Sequence, residues 1–183
     1  LAIMKYYNLR NDRILVLCPK KLRENWLIYS LISDVRNILA KDRMNFDVLN
    51  HTDLSRERGI SGLINLETIN WGNYDLVVID ESHNFRNNNP RKNTVSRYQR
   101  LMDDIIKSGV KTKVLMLSAT PVNTRMNDIK NQIAFITEQE DEVLHEYGID
   151  SIETSLRVAQ QKFNGWLKAN RNQTGNRDGL VNT

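Results

Sequence analysis

A single cysteine, Cys18, is the only thiol in 183 residues, so no disulfide can form within the chain. A reducing, cytoplasmic setting is the natural expectation. Long apolar runs are also missing. Stretches such as Ile14 to Cys18 and Leu76 to Ile79 fall far short of the about 20 residues a membrane helix needs. The N-terminus lacks a basic segment followed by a long apolar run, so no secretory leader is expected. The three histidines, His51, His83 and His145, are scattered and have no companion cysteine, which argues against a zinc site and a Cys–His protease. No internal repeat is present.

What is there suits one globular domain, or one domain with an appendage. Hydrophobic residues make up 40% and charged residues 26%, enough apolar material for a core that needs no crosslink. The formal charge of +4 is compatible with a nucleic-acid partner and equally with a mildly basic soluble protein. Its distribution says more. Residues 86–113 carry Arg86, Arg91, Lys92, Arg97, Arg100, Lys107, Lys111 and Lys113 against only Asp103 and Asp104. Residues 138–146 carry Glu138, Glu140, Asp141, Glu142 and Glu146. The chain opens on Leu1-Ala-Ile-Met-Lys-Tyr-Tyr7, a helix-like stretch, and the expectation is that the sequence starts inside an element.

Three runs read as buried strands: Arg13 to Cys18, Tyr74 to Ile79 and Lys113 to Ser118, with Phe46 to Asn50 a weaker fourth. They are continuously apolar rather than alternating, the pattern of parallel strands covered on both faces. Helical spacing lies between them. Leu22, Trp26 and Tyr29 form one face; Tyr98, Leu101, Met102, Ile105 and Ile106 a second; Met126, Ile129, Ile133 and Ile136 a third, all expected to be core packing. The alternation predicts an α/β fold, a mostly parallel open sheet flanked by helices. A helical extension follows from residue 138, with Ile152, Leu156, Phe163 and Leu167 at near-helical spacing and a polar tail from Asn170 expected to be poorly ordered. Asn84 to Asn93, Asn-rich and holding Pro90, reads as an exposed loop.

Open parallel sheets gather ligands at the carboxyl ends of their strands. There the three runs end in Cys18-Pro19-Lys20, Asp80-Glu81-Ser82-His83 and Ser118-Ala119-Thr120-Pro121. Adjacent carboxylates at a strand end suit two tasks: one holds Mg²⁺ beside a triphosphate, and the next orients and deprotonates a water. They also suit a helix N-terminus that merely favours acidic residues. The small hydroxyls Ser118 and Thr120 can bond carboxylates of a neighbouring strand, or simply cap a turn. A lone buried strand-end thiol is the simplest reading of Cys18.

Asp80-Glu81-Ser82-His83 resembles motif II of helicase superfamily two, and Ser118-Ala119-Thr120 resembles its motif III. Arg13 to Trp26, with Cys18-Pro19, Leu22 and Trp26, resembles motif Ia. The continuations His83-Asn-Phe-Arg86-Asn87 and Thr120-Pro121-Val-Asn123 are most similar to the Swi/Snf-like, RapA-type branch. The resemblance covers residues 1–137. It implies part of a first RecA-like lobe of the P-loop NTPase type, in a parent that moves on double-stranded DNA by hydrolysing Mg²⁺·ATP. It implies Asp80 as the Mg²⁺ ligand, Glu81 as the catalytic carboxylate and His83 as a contact to motif III or the γ-phosphate. Ser118, Ala119 and Thr120 would couple hydrolysis to movement, and Pro19, Lys20 and Asn123 would approach DNA. The basic segment 86–113 is a further candidate DNA surface.

One departure is large. No Gly-x-x-x-x-Gly-Lys-Thr/Ser loop occurs in these residues, and neither does a second RecA-like lobe with its arginines. The phosphate-loop strand is therefore expected to be missing from the sheet, and the 183 residues alone are expected to bind nucleotide weakly and turn over little. The alternative is a non-catalytic docking module for nucleic acid or protein.

Overall fold

The computed structural model describes residues 1–85, 96–109, 111–119 and 126–174. Four strands form a wholly parallel sheet: β1 (Ile14–Cys18), β2 (Asp47–Asn50), β5 (Leu76–Asp80) and β6 (Lys113–Leu117), in the order β2-β1-β5-β6. Each of the four expected runs is a strand. A small antiparallel hairpin, β3 (Ile60–Ser61) with β4 (Ile64–Asn65), sits apart from the sheet.

The continuous apolar runs are explained by the layers. Successive side chains of a strand point to opposite faces, and here both faces are covered. Leu15 and Leu17 of β1 and Val77 and Ile79 of β5 face one cluster with Leu101, Met102, Ile105 and Phe135. Ile14, Val16 and Cys18 of β1 and Leu76 and Val78 of β5 face the other, with Met4, Met44 and Phe46. The first layer comes from α3 (Arg97–Gln99), which continues as a π-helical segment, Arg100–Lys107, and from α4 (Met126–Thr137). The second comes from α1 (Ala2–Leu9) and from α2 (Arg23–Leu27), flanked by 3₁₀ turns at Lys20–Leu22 and Ile28–Ser30. Each fully buried aliphatic side chain contributes about 1.5–3 kcal/mol of hydrophobic stabilisation. The strand β6 is half-exposed, in contrast to β1 and β5.

A buried polar network ties the hairpin to the layer above β1. Asp53 accepts from Ser61 Oγ (2.5 Å), from the Asn50 amide (2.8 Å) and from Arg56 (3.0 Å), and Arg23 donates to Ser61 Oγ (2.7 Å). Gly62, at φ 64°, turns the hairpin where any Cβ would run into the Arg23 guanidinium. Glycine meets both demands, positive φ and close approach.

The acidic stretch has a structural use. The Asp141 carboxylate accepts the Glu153 amide at 2.8 Å, at the start of α5 (Ile152–Thr174), and Lys130 of α4 pairs with Glu153 at 2.7 Å. Hydrogen bonds from Ser151 and from the helix amides hold the Asp141 carboxyl below the usual range. Among the described residues, no helix is long and apolar enough to cross a membrane.

Two expectations need correction. The helix extends past Asn170 to Thr174; residues 175–183 of the expected tail lie outside the described residues. The buried face of α4 is not the isoleucine stripe. Phe135 and Gln132 are turned inward, while Ile136 is 61% exposed; Met126's side chain lies outside the description. Phe135 rotates the helix by packing against Phe85 and Tyr98, with ring centroids 6.3 and 4.6 Å away. The larger aromatic surface outweighs the aliphatic periodicity.

The layers predict opposite outcomes for two truncations. Leu17→Ala removes a fully buried side chain and is expected to cost about 2–5 kcal/mol in urea unfolding. Ile136→Ala is expected to change stability by about 0.5 kcal/mol or less. Similar losses for the two would contradict the assigned orientation of α4.

Candidate functional site

The parallel register of β5 and β6 sets Asp80 opposite Leu117, so the residues that follow each strand emerge side by side. Asp80 ends β5, and Ser118 follows β6 directly. Between Asp80 and a 3₁₀ turn at Ser82–Phe85 lies Glu81, at φ 53°. This left-handed backbone is costly for a residue with a Cβ, by about 1–2 kcal/mol. The turn is held from two sides. The Asn84 amide and side-chain nitrogen both donate to the Glu81 carbonyl, at 3.1 and 3.0 Å, and the buried Ser82 hydroxyl donates to Gln132 Oε1 at 3.1 Å.

Three of the expected site residues meet. His83 Nδ1 lies 3.2 Å from Glu81 Oε2 and 3.3 Å from Ser118 Oγ. One imidazole nitrogen thus touches a group from each strand tip. An imidazole in this position can exchange a proton with the carboxylate or polarise the hydroxyl, depending on its tautomer. Glu81 and His83 are each partly exposed, so the cluster is open to a ligand.

Other expected residues are placed differently. Ala119 is exposed beyond Ser118. Pro19 and Lys20 follow β1, with Lys20 exposed, so they sit at the carboxyl edge of the sheet. Thr120 and Asn123, with Pro121, lie outside the described residues, as do Arg86, Asn87, Arg91 and Lys92. Within the basic segment, Arg100 is taken up by the fold. It donates to the Leu54 carbonyl (3.0 Å), pairs with Asp104 (3.3 Å) and lies over the Trp71 ring, so it is withdrawn from the candidate DNA surface.

Two side chains escaped the sequence reading as parts of this site. Trp26 donates its indole N–H to Asp80 Oδ2 at 2.9 Å, reaching from α2 across the end of the sheet. With Leu22, Asn25, Tyr29 and Leu1 it walls a cavity of about 270 Å³ that Asp80 also lines. The second is His51, which follows β2. It is 4% exposed, packs edge-to-face on Phe85 at 4.8 Å, and its Nε2 has no hydrogen-bond partner among the described residues. Burial pushes its imidazole down to about 4, with the carbonyls of Leu17 and Asp80 opposing. His51 is therefore a neutral ring beside the end of β5. Cys18 is likewise buried; desolvation, reinforced by the Asp80 carboxylate, pushes its thiol up to about 12 and leaves it unreactive.

Among the described residues, no three His, Cys, Asp or Glu side chains converge as a self-sufficient metal cage. A single strand-end carboxylate is still enough for Mg²⁺, which keeps several waters and is commonly held by one or two carboxylates together with phosphates. The bond from Trp26 engages Oδ2 of Asp80, and the chemistry of a strand-end carboxylate is compatible with that role. Neither the family models nor the curated proteins contain a match to this chain.

His51 gives the site a pH dependence. The unfolded ring takes up a proton near pH 6.5, whereas the folded ring resists until about pH 4. Its contribution to stability is therefore full above about pH 6.5 and declines as pH falls towards 4, by about 3 kcal/mol in total. Urea unfolding of the wild type across this window is expected to show this loss, and His51→Gln to lack that component. Parallel profiles for the two would contradict the buried neutral imidazole.

Proposed function

We propose that this chain forms part of the first RecA-like lobe of an ATP-dependent double-stranded DNA translocase of the Swi/Snf-like type. The carrying observation is that His83 lies within hydrogen-bonding distance of both Glu81, from one strand tip, and Ser118, from the neighbouring one. A motor lobe needs this kind of link between the group that handles the attacking water and the segment that responds.

In this reading Asp80 is the Mg²⁺ ligand, and Mg²⁺, when bound, neutralises charge on the triphosphate. Glu81 orients a water and accepts its proton on a carboxylate oxygen. The left-handed backbone at Glu81 is braced by Asn84, and the carboxylate lies partly exposed beside His83. His83 passes a change at Glu81 to Ser118, and Ala119 and Thr120 carry it to the following segment. Pro19, Lys20 and Asn123 are assigned to the DNA backbone, as positioning contacts without base readout. The bond from Trp26 holds Asp80 in one rotamer, so the carboxylate is oriented before any cation arrives.

The same bond favours a second reading. Trp26 occupies one Asp80 oxygen, and these residues contain no phosphate-binding loop. A lobe with this geometry could serve as a docking module with no turnover. The coding sequence upstream of Leu1 separates the two. A glycine-rich loop ending in Lys-Thr or Lys-Ser supports the motor, and its absence supports the docking module.

For a full-length parent carrying such a loop and a second RecA-like lobe, duplex DNA is expected to stimulate ATP hydrolysis. Glu81→Gln is expected to lower kcat by about 10²–10⁴-fold while leaving nucleotide binding in place. Normal steady-state turnover by Glu81→Gln would remove Glu81 from its assigned role.

A further inference from the structure

Helix α4 meets the strand-tip site at two matched points. In the 3₁₀ turn at Ser82–Phe85 the first and last side chains are one turn apart and share a side. Gln132 and Phe135 have the same spacing on one face of α4. The two pairs meet in register. The Ser82 hydroxyl donates to Gln132 Oε1 at 3.1 Å, and the rings of Phe85 and Phe135 lie edge-to-face with centroids 6.3 Å apart. All four side chains are buried. His83 and Asn84, between the two contacts, stay at the surface, Asn84 exposed and His83 partly so.

The two contacts do different work. Edge-to-face rings tolerate a range of separations and tilts, so Phe85 and Phe135 hold the turn against the helix without fixing its rotation. A hydrogen bond weakens steeply as it bends, so the bond from Ser82 to Gln132 sets that rotation. Packing alone gives no reason for a carboxamide here. Burying it is costly unless it is bonded, and an apolar side chain would fill the same place in this core without that cost.

We propose that Gln132 is a positioning residue for the strand-tip site: through Ser82 it orients the turn that brings His83 to Glu81 and Ser118. Helix α4 also follows Ser118 in the chain, starting at Met126. One helix therefore clamps the turn after β5 and continues the chain after β6. This role rests on the cluster of Glu81, His83 and Ser118, whichever reaction that cluster serves, and it adds to the motor reading a residue that touches neither nucleotide nor DNA.

The test is NMR of the intact chain at one pH, reading the His83 ring nitrogens and the Glu81 and Asn84 amides. Gln132→Met keeps the length of the side chain but leaves only a weakly accepting thioether. It is expected to shift these resonances by more than their line widths. Ser82→Ala is expected to shift the same resonances in the same direction, and the double variant to shift them no further, because both changes remove one bond. Val16→Ala, in the fully buried cluster on the opposite face of the sheet, is the control. It is expected to lower stability and leave His83 in place. The role is overturned if Gln132→Met moves His83 no more than Val16→Ala does, or if the shifts of the two single variants sum in the double. An unmoved His83 removes this role and leaves the motor reading standing; normal turnover by a Glu81→Gln parent does the reverse.

Discussion

The parallel pairing of β5 between β1 and β6 is the constraint on which the other features rest. Leu76, Val77, Val78 and Ile79 are at most 2% exposed, sealed by one cluster on each face and by a strand on each edge. A strand packed in this way cannot slide by one residue without exchanging the side chains fitted to its two clusters and drawing Asp75 or Asp80 into the apolar layer. Its carboxyl end is therefore fixed in space, and so is the relation between Asp80 and the end of β6. The side chains that follow inherit a precision that loops of this length do not have by themselves.

The polar groups at that end show how such rigidity is used. Asp80 is held by Trp26, Ser82 by Gln132 and the Glu81 carbonyl by Asn84. Each of these bonds comes from a different part of the sequence and meets a group that the sheet has already positioned. Together they maintain Glu81 at a positive φ, a conformation that isolated peptides avoid. Local strain kept in place by surrounding bonds, beside an open cluster of carboxylate, imidazole and hydroxyl, is the pattern expected where chemistry is done. It is also compatible with a docking site whose ligand reads the same three groups.

Much of the fold was legible in the sequence, for identifiable reasons. Runs such as Leu76-Val-Val-Ile79 lack the alternation of a half-covered strand, and both their faces are indeed buried. The face of Leu101, Met102, Ile105 and Ile106 was legible because all four enter one core; its π-helical winding was not, since spacing constrains the buried face more than the hydrogen-bond ladder. The α4 stripe was misleading because isoleucines at helical spacing also fit an exposed face, and the contacts of Phe135 decide the rotation. At the site, the adjacency of the acidic pair and the Ser118 segment followed from strand order. The Trp26–Asp80 bond did not, because it joins residues 54 apart through the packing of α2. His51 carried no signal, since a lone histidine in a polar segment looks like any surface histidine until β2 and Phe85 enclose it.

A double-mutant cycle on His83 and Ser118 tests the meeting of the two strand tips most directly. Urea unfolding of His83→Ala, Ser118→Ala and the double variant isolates their interaction from their separate contributions. If the imidazole and hydroxyl touch at 3.3 Å, the cycle should close with a favourable coupling of about 0.5–1.5 kcal/mol. Strictly additive losses would mean that the two ends do not communicate, and the cluster of Glu81, His83 and Ser118 would have to be abandoned as a working site.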